Sequence, residues 1–200
     1  PLTAKLSWTV ARSVRKTGGV AELDAAREQR FLAANALVPV GHEVLDPILA
    51  EIHAARREST PAATARAIYD WVVDNVEYKK VGTGWGNGDT FWACSERYGN
   101  CTDFHAIIIG YCRSLGIPAR FSIGLPLPAE RGHGEHKGSH CRAEFFTPGT
   151  GWVPVDASEA AKSPDKRAYF FGAHDENRVE FTRGRDVQLT PRQAGPPLNY

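Results

Sequence analysis

The chain has 200 residues, 42% of them apolar and 24% charged, with 24 Lys+Arg set against 23 Asp+Glu. That composition supports a core of one-domain size and excludes disorder over most of the length. A net charge of +1 offers no field for nucleic acid or an anionic membrane, and the longest apolar run, Ala106 to Ile109, is far short of the ~18 residues of a membrane-spanning helix.

Leu6 to Val10 alternates apolar and polar residues and predicts a half-buried strand, broken by Gly18-Gly19. Val20 to Ala36 favours helix by composition and is closed by Pro39 and Gly41. Pro47 to Arg57 predicts another, with Ile48, Ile52 and Ala55 on one side. The next helix is better marked: Thr60 caps it, Pro61 suits its first position, and Ala65, Ile68, Tyr69, Val72, Val73 and Val76 recur at helical spacing. Helical periodicity then stops in a glycine-rich loop, Val81 to Gly88, that carries Trp85.

Asn100 predicts an N-cap and Asp103 a capping-box acid for a helix opening at Cys101. Phe104, Ile107, Ile108, Ile109, Tyr111 and Leu115 make it apolar nearly all round, so it is expected to lie buried at the centre. Gly116 and Pro118 end it, and Ala119, Phe121, Ile123 and Leu125 alternate as a strand. His140 to Phe146 and Trp152 to Asp156 predict an antiparallel hairpin, and Arg178 to Phe181 a further strand.

A cysteine in the first turn of a buried helix meets unsatisfied N–H groups and the positive end of the macrodipole, both of which favour a thiolate. Strand parity places His140, Arg142, Glu144 and Phe146 on one face of their strand and Cys141, Ala143 and Phe145 on the other. A hairpin centred on Pro148 pairs positions 140 and 156 directly; one centred on Gly149 sets Asp156 opposite Arg142 and diagonal to His140. Either register brings a carboxylate beside an imidazole, the arrangement of a Cys-His-Asp triad formed by Cys101, His140 and Asp156.

The four cysteines contain no C-x-x-C pair, and free thiols are the simplest reading. Cys112 and Cys141 are expected to be buried apolar filler, Asp103 a cap and His105 a satisfied core histidine.

Gly99-Asn100-Cys101-Thr102-Asp103-Phe104-His105, Leu115-Gly116-Ile117-Pro118-Ala119-Arg120, His140-x-x-x-Glu144 and Gly151-Trp152-Val153-Pro154-Val155-Asp156 resemble, in order, the motifs of bacterial transglutaminase-like domains. The stretches Asn35 to Val40 and Asn177 to Leu189 extend the resemblance to most of the chain. It implies an α+β, papain-like fold in which a central helix presents the cysteine to an antiparallel sheet carrying histidine and aspartate. The expected organisation is a single domain cut from a longer parent, with an N-terminal strand and helices over 1–58, a catalytic core over 59–160 and a C-terminal segment over 161–200.

The implied chemistry is thiol acyl transfer on a peptide or carboxamide: Cys101 attacks, His140 protonates the departing amine, and water or an amine resolves the thioester. Hydrolysis is favoured over protein cross-linking. The implied partner is a peptide or protein, with no nucleic acid, membrane, metal or organic cofactor; oligomeric state and compartment stay open, a periplasmic or secreted placement among them. Trp85 resembles the tryptophan that stabilises the intermediate in some transglutaminases, at a shorter spacing, with Tyr78 and Trp92 as rival donors. Arg142 stands two residues after His140, where the family usually has Trp; its guanidinium either competes for Asp156, supports the thiolate or reads an acidic substrate. A different class of reading takes His133, His136 and His140 as transition-metal ligands of a non-catalytic interaction domain.

Overall fold

A computed structural model describes residues 7–135 and 138–199. A short strand β1 (Arg15–Lys16) leads to helices α1 (Ala25–Leu32), α2 (Asp46–Ala55) and α3 (Pro61–Asn75). Then follow β2 (Glu77–Tyr78), α4 (Thr90–Glu96), β3 (Tyr98–Gly99) and α5 (Cys101–Ser114). The second half holds β4 (Ala119–Pro126), β5 (His140–Thr147), β6 (Gly151–Val155), α6 (Ala157–Lys162), β7 (Ala173–His174) and β8 (Arg178–Arg183). No helix among the described residues is long and apolar enough to cross a membrane.

The main sheet is antiparallel in the order β6-β5-β4-β8, and α5 lies against β5 and β4 with α3, α4 and α6 around it. This is the expected α+β architecture. Every residue of α5 from Cys101 to Arg113 is buried, which is why its apolar residues occupy no single stripe. Arg113, near its C-terminus, is buried too, and its guanidinium donates to the carbonyls of Ala33 and Ala119 and to Asn35 Oδ1. The helix end is thereby tied to the N-terminal segment and to the start of β4. The β5–β6 pairing sets Thr147 opposite Gly151 and Ala143 opposite Val155, so the hairpin is centred on Gly149 and the second of the two registers is the one adopted.

Three local expectations are corrected. Ser7 to Val10 is irregular and Trp8 is 61% exposed, resting on Phe181; Leu6 lies outside the described residues. Alternation alone makes no strand without a sheet edge to join, and the edge is met later, where Arg15 and Lys16 pair with His174 and Ala173. The expected helix over 20–36 is only Ala25–Leu32, capped by Asp24 and ended at Ala33. Two short helices, α4 and α6, escaped the sequence reading, because seven and six residues are too few to display a period.

Strand β4 is irregular between Ile123 and Gly124 where it meets β8. A Cβ at Gly124 would run into the Val179 carbonyl. Gly124→Ala is therefore expected to force the two strands apart and cost about 1–3 kcal/mol, read as a lower urea midpoint with an unchanged slope.

Candidate active site

Cys101 is the first residue of α5 and 5% exposed. Asn100 caps the helix by accepting from the Thr102 N–H, and Asp103 reaches back to the Asn100 N–H at 2.9 Å. The sulfur accepts the Cys141 backbone N–H at 3.4 Å. The surroundings lower the Cys101 thiol below the ordinary cysteine value, with the adjacent Cys141 as the largest cause and the His140 imidazole after it, against the cost of burial. Cys141 is correspondingly pushed up, by the neighbouring Cys101 and by burial, and its sulfur meets the Thr102 hydroxyl at 2.7 Å. Cys141 is buried in the core, as expected, and it is its backbone N–H that serves the Cys101 sulfur. Cys112 is a buried thiol pushed up to about 12 by its apolar surroundings, and all four cysteines are free.

His140 opens β5, and its Nε2 lies 2.7 Å from Asp156 Oδ2. Its Nδ1 lies 4.0 Å from Glu159. Burial alone would push the imidazole down; Asp156 and Cys101 outweigh it and bring His140 up to about 9. Asp156 has no exposure and caps α6, accepting from the Ser158 hydroxyl at 2.9 Å and the Glu159 N–H at 3.0 Å. Burial would raise its carboxyl, but the charge and hydrogen bond of His140, with His105 and Arg178 behind them, hold it well below the carboxylate range. Cys101, His140 and Asp156 are all buried, and the lowered thiol, raised imidazole and lowered carboxyl each shift toward the charged form.

The profile of the transglutaminase-like superfamily matches residues 50–157 of this sequence. The chain belongs to the transglutaminase-like superfamily. It is 32% identical over 175 residues to an uncharacterised protein of Haemophilus influenzae, over 72% of this chain and 47% of that protein. Its fold is similar to that of a candidate cysteine protease from Cytophaga hutchinsonii, with a TM-score of 0.56 and 24% identity over 84% of this chain and 50% of that one. It is also similar to the periplasmic domain of TgpA from Pseudomonas aeruginosa, with a TM-score of 0.51 and 21% identity over 74% of this chain and 51% of that one. The chain spans about half the length of these relatives.

Around this superfamily site the other expected residues are distributed unevenly. Asp103 does more than cap: its two oxygens accept the Gly86 and Gly88 N–H groups at 2.7 and 3.0 Å, so the Trp85 loop is strung from the first turn of α5. Trp85 itself is half-buried, with Lys80 Nζ 5.9 Å from its ring. Trp92 packs edge-on against Tyr98 beneath Gly84. Tyr78 lies where the charge of Cys101 is felt: burial, reinforced by that charge, pushes its phenol up and keeps it protonated. Arg142 lines a cavity together with Glu144 and Arg178, on the face of β5 opposite Cys141; the arginine that approaches Asp156 Oδ2, at 3.5 Å, is Arg178.

His105 is fully buried, as expected, but neither ring nitrogen has a hydrogen-bond partner among the described residues. Its Nε2 stands 3.6 Å from Asp156 Oδ1, so it backs the carboxylate rather than filling the core as a satisfied histidine. Of the His133/His136/His140 run, His136 lies outside the described residues, His133 is exposed, and His140 is turned to Asp156.

Sequence reasoning passed over Ser158, Glu159 and Arg178. The first two were detectable, since Asp156-Ala157-Ser158-Glu159 carries an N-cap acid with Glu at the third helical position. Arg178 gave no such signal.

Alkylation by iodoacetamide reads the thiolate directly. With Cys101 lowered while Cys94, Cys112 and Cys141 are all raised, labelling near neutral pH should be rapid and confined to Cys101. His140→Ala should move its midpoint up toward the ordinary thiol value of about 8.5.

Proposed function

We propose that this chain is a cysteine hydrolase that cleaves peptide or carboxamide bonds through Cys101, His140 and Asp156. The observation that carries the reading is the 2.7 Å contact between His140 and the buried Asp156, made by the same imidazole that favours the Cys101 thiolate. Asp156 accepts from Nε2, which leaves Nδ1, 4.0 Å from Glu159, as the nitrogen that exchanges a proton with the reacting groups.

In this reading the thiolate attacks the carbonyl carbon and the displaced electron pair moves onto oxygen, where the Cys101 N–H at the helix start is one donor. The second is a side chain at the mouth, Tyr78 or Trp85; Tyr78 retains the proton it must donate. His140 passes its Nδ1 proton to the departing amine as the C–N bond breaks, leaving a thioester. Water then gives a proton back to His140, adds to the thioester and releases the acid with Cys101 restored. Hydrolysis is preferred to amine transfer because water needs no separate acceptor channel, and the likeness to a candidate cysteine protease supports it. The substrate class is a peptide or protein.

Screening fluorogenic peptides and free carboxamides should reveal turnover that Cys101→Ala abolishes and Asp156→Asn lowers by about 10²–10⁴ in kcat. Adding a primary amine separates the outcomes: acid product unchanged by the amine fits a hydrolase, while amide product in its place makes the protein a transferase. Tyr78→Phe and Trp85→Phe, compared in kcat alone, assign the second donor.

A further inference from the structure

On the face of β5 that carries Arg142, the sheet holds a cavity of about 180 Å³. Its charges are almost, but not quite, matched. Arg15 Nε holds Glu144 at 3.1 Å, and Arg120 holds the other oxygen of that carboxylate. Arg183 Nε holds Glu180 at 2.7 Å. Arg178 Nε stands 3.1 Å from Asp175, and its Nη2 3.5 Å from Asp156. Every carboxylate of the cavity wall is therefore claimed by another arginine. Arg142 is only 5% exposed, takes no part in these pairs, and its Nε has no hydrogen-bond partner among the described residues.

A buried guanidinium with no carboxylate in salt-bridge contact is costly, and its planar fork is shaped for two oxygens at once. The remaining titratable wall group does not supply that charge: His174 is buried with Nε2 3.0 Å from the Val155 carbonyl, and burial and the Arg142 charge keep it neutral. Ser13 adds a hydroxyl to the wall. The volume corresponds to roughly six waters at about 30 Å³ each, enough for a small anion and below the roughly 300 Å³ at which drug-sized pockets begin.

We propose that this cavity is a binding site for a small oxyanion of the carboxylate or phosphate class, held by Arg142 and facing Arg178. Arg178 connects it to Asp156, so it lies one side chain behind the proposed catalytic pair and on the opposite side of the strand from Cys141.

The test is thermal unfolding at pH 7 and constant ionic strength, titrating sodium phosphate or sodium acetate against sodium chloride. The expected result is a saturable rise in Tm with phosphate, acetate or both, absent with chloride; the stronger arm identifies the source as free phosphate or a carboxylate group. Arg142→Met, which removes the unmatched charge and keeps much of the side-chain volume, should lose the rise while its anion-free Tm equals or exceeds that of the native chain. Arg142→Gln serves as the second variant and should likewise lose the rise. A native chain that responds no more to phosphate or acetate than to chloride overturns the proposal, as does either variant keeping the full response. Cys101→Ala should retain the rise, so failure of the thiol chemistry and failure of the anion site are told apart.

Discussion

Asp156 is the constraint on which the rest of the site depends. A carboxylate with no exposure survives in a protein interior only if its lone pairs are occupied by donors or cations. Here they are: the His140 ring, the Ser158 hydroxyl and the Glu159 N–H contact it at 3.0 Å or less, with Arg178 and His105 at 3.5 and 3.6 Å. The residue caps one helix and orients one imidazole with different oxygens, so the start of α6 and the direction of the histidine are fixed together. The imidazolium that Asp156 stabilises in turn favours the thiolate across the site.

The second requirement is a rigid platform for the sulfur. Helix α5 is buried on all sides, so its first turn cannot drift relative to the sheet. Asp103 extends that rigidity outward by holding both the helix start and the Gly86 and Gly88 amides. The loop bearing Trp85 is therefore set by the same turn that sets Cys101. This coupling gives a physical reason for an acid two residues after Cys101, beyond capping alone.

The sheet works differently on its two faces. Toward α5, strand β5 contributes Cys141, Ala143 and Phe145 to the core. On the other face the same strand turns Arg142 and Glu144 into a charged cavity that shares Arg178 with Asp156. Each carboxylate of that wall is paired with an arginine, and Arg142 is the wall arginine left out of those pairs.

Much of this was legible in the residues. The capped helix from Asn100, the β-strand after Pro118 and the hairpin strands all followed from local signals: side-chain caps, a proline stop, two-residue alternation. These depend on contacts within a few residues, so the sequence by itself determined them, together with the family resemblance carried by the ordered motifs. It did not decide between two hairpin registers, because alternation is satisfied equally by both; the loop geometry at Gly149 and the packing of β5 against α5 chose one. Nor did it reveal that the Cys141 backbone N–H would donate to the Cys101 sulfur, that His105 would stand behind Asp156, or that Arg178 rather than Arg142 would approach that carboxylate. Those partners lie far apart along the chain, and only the folded packing of strands and helices brings their charges within reach of one another.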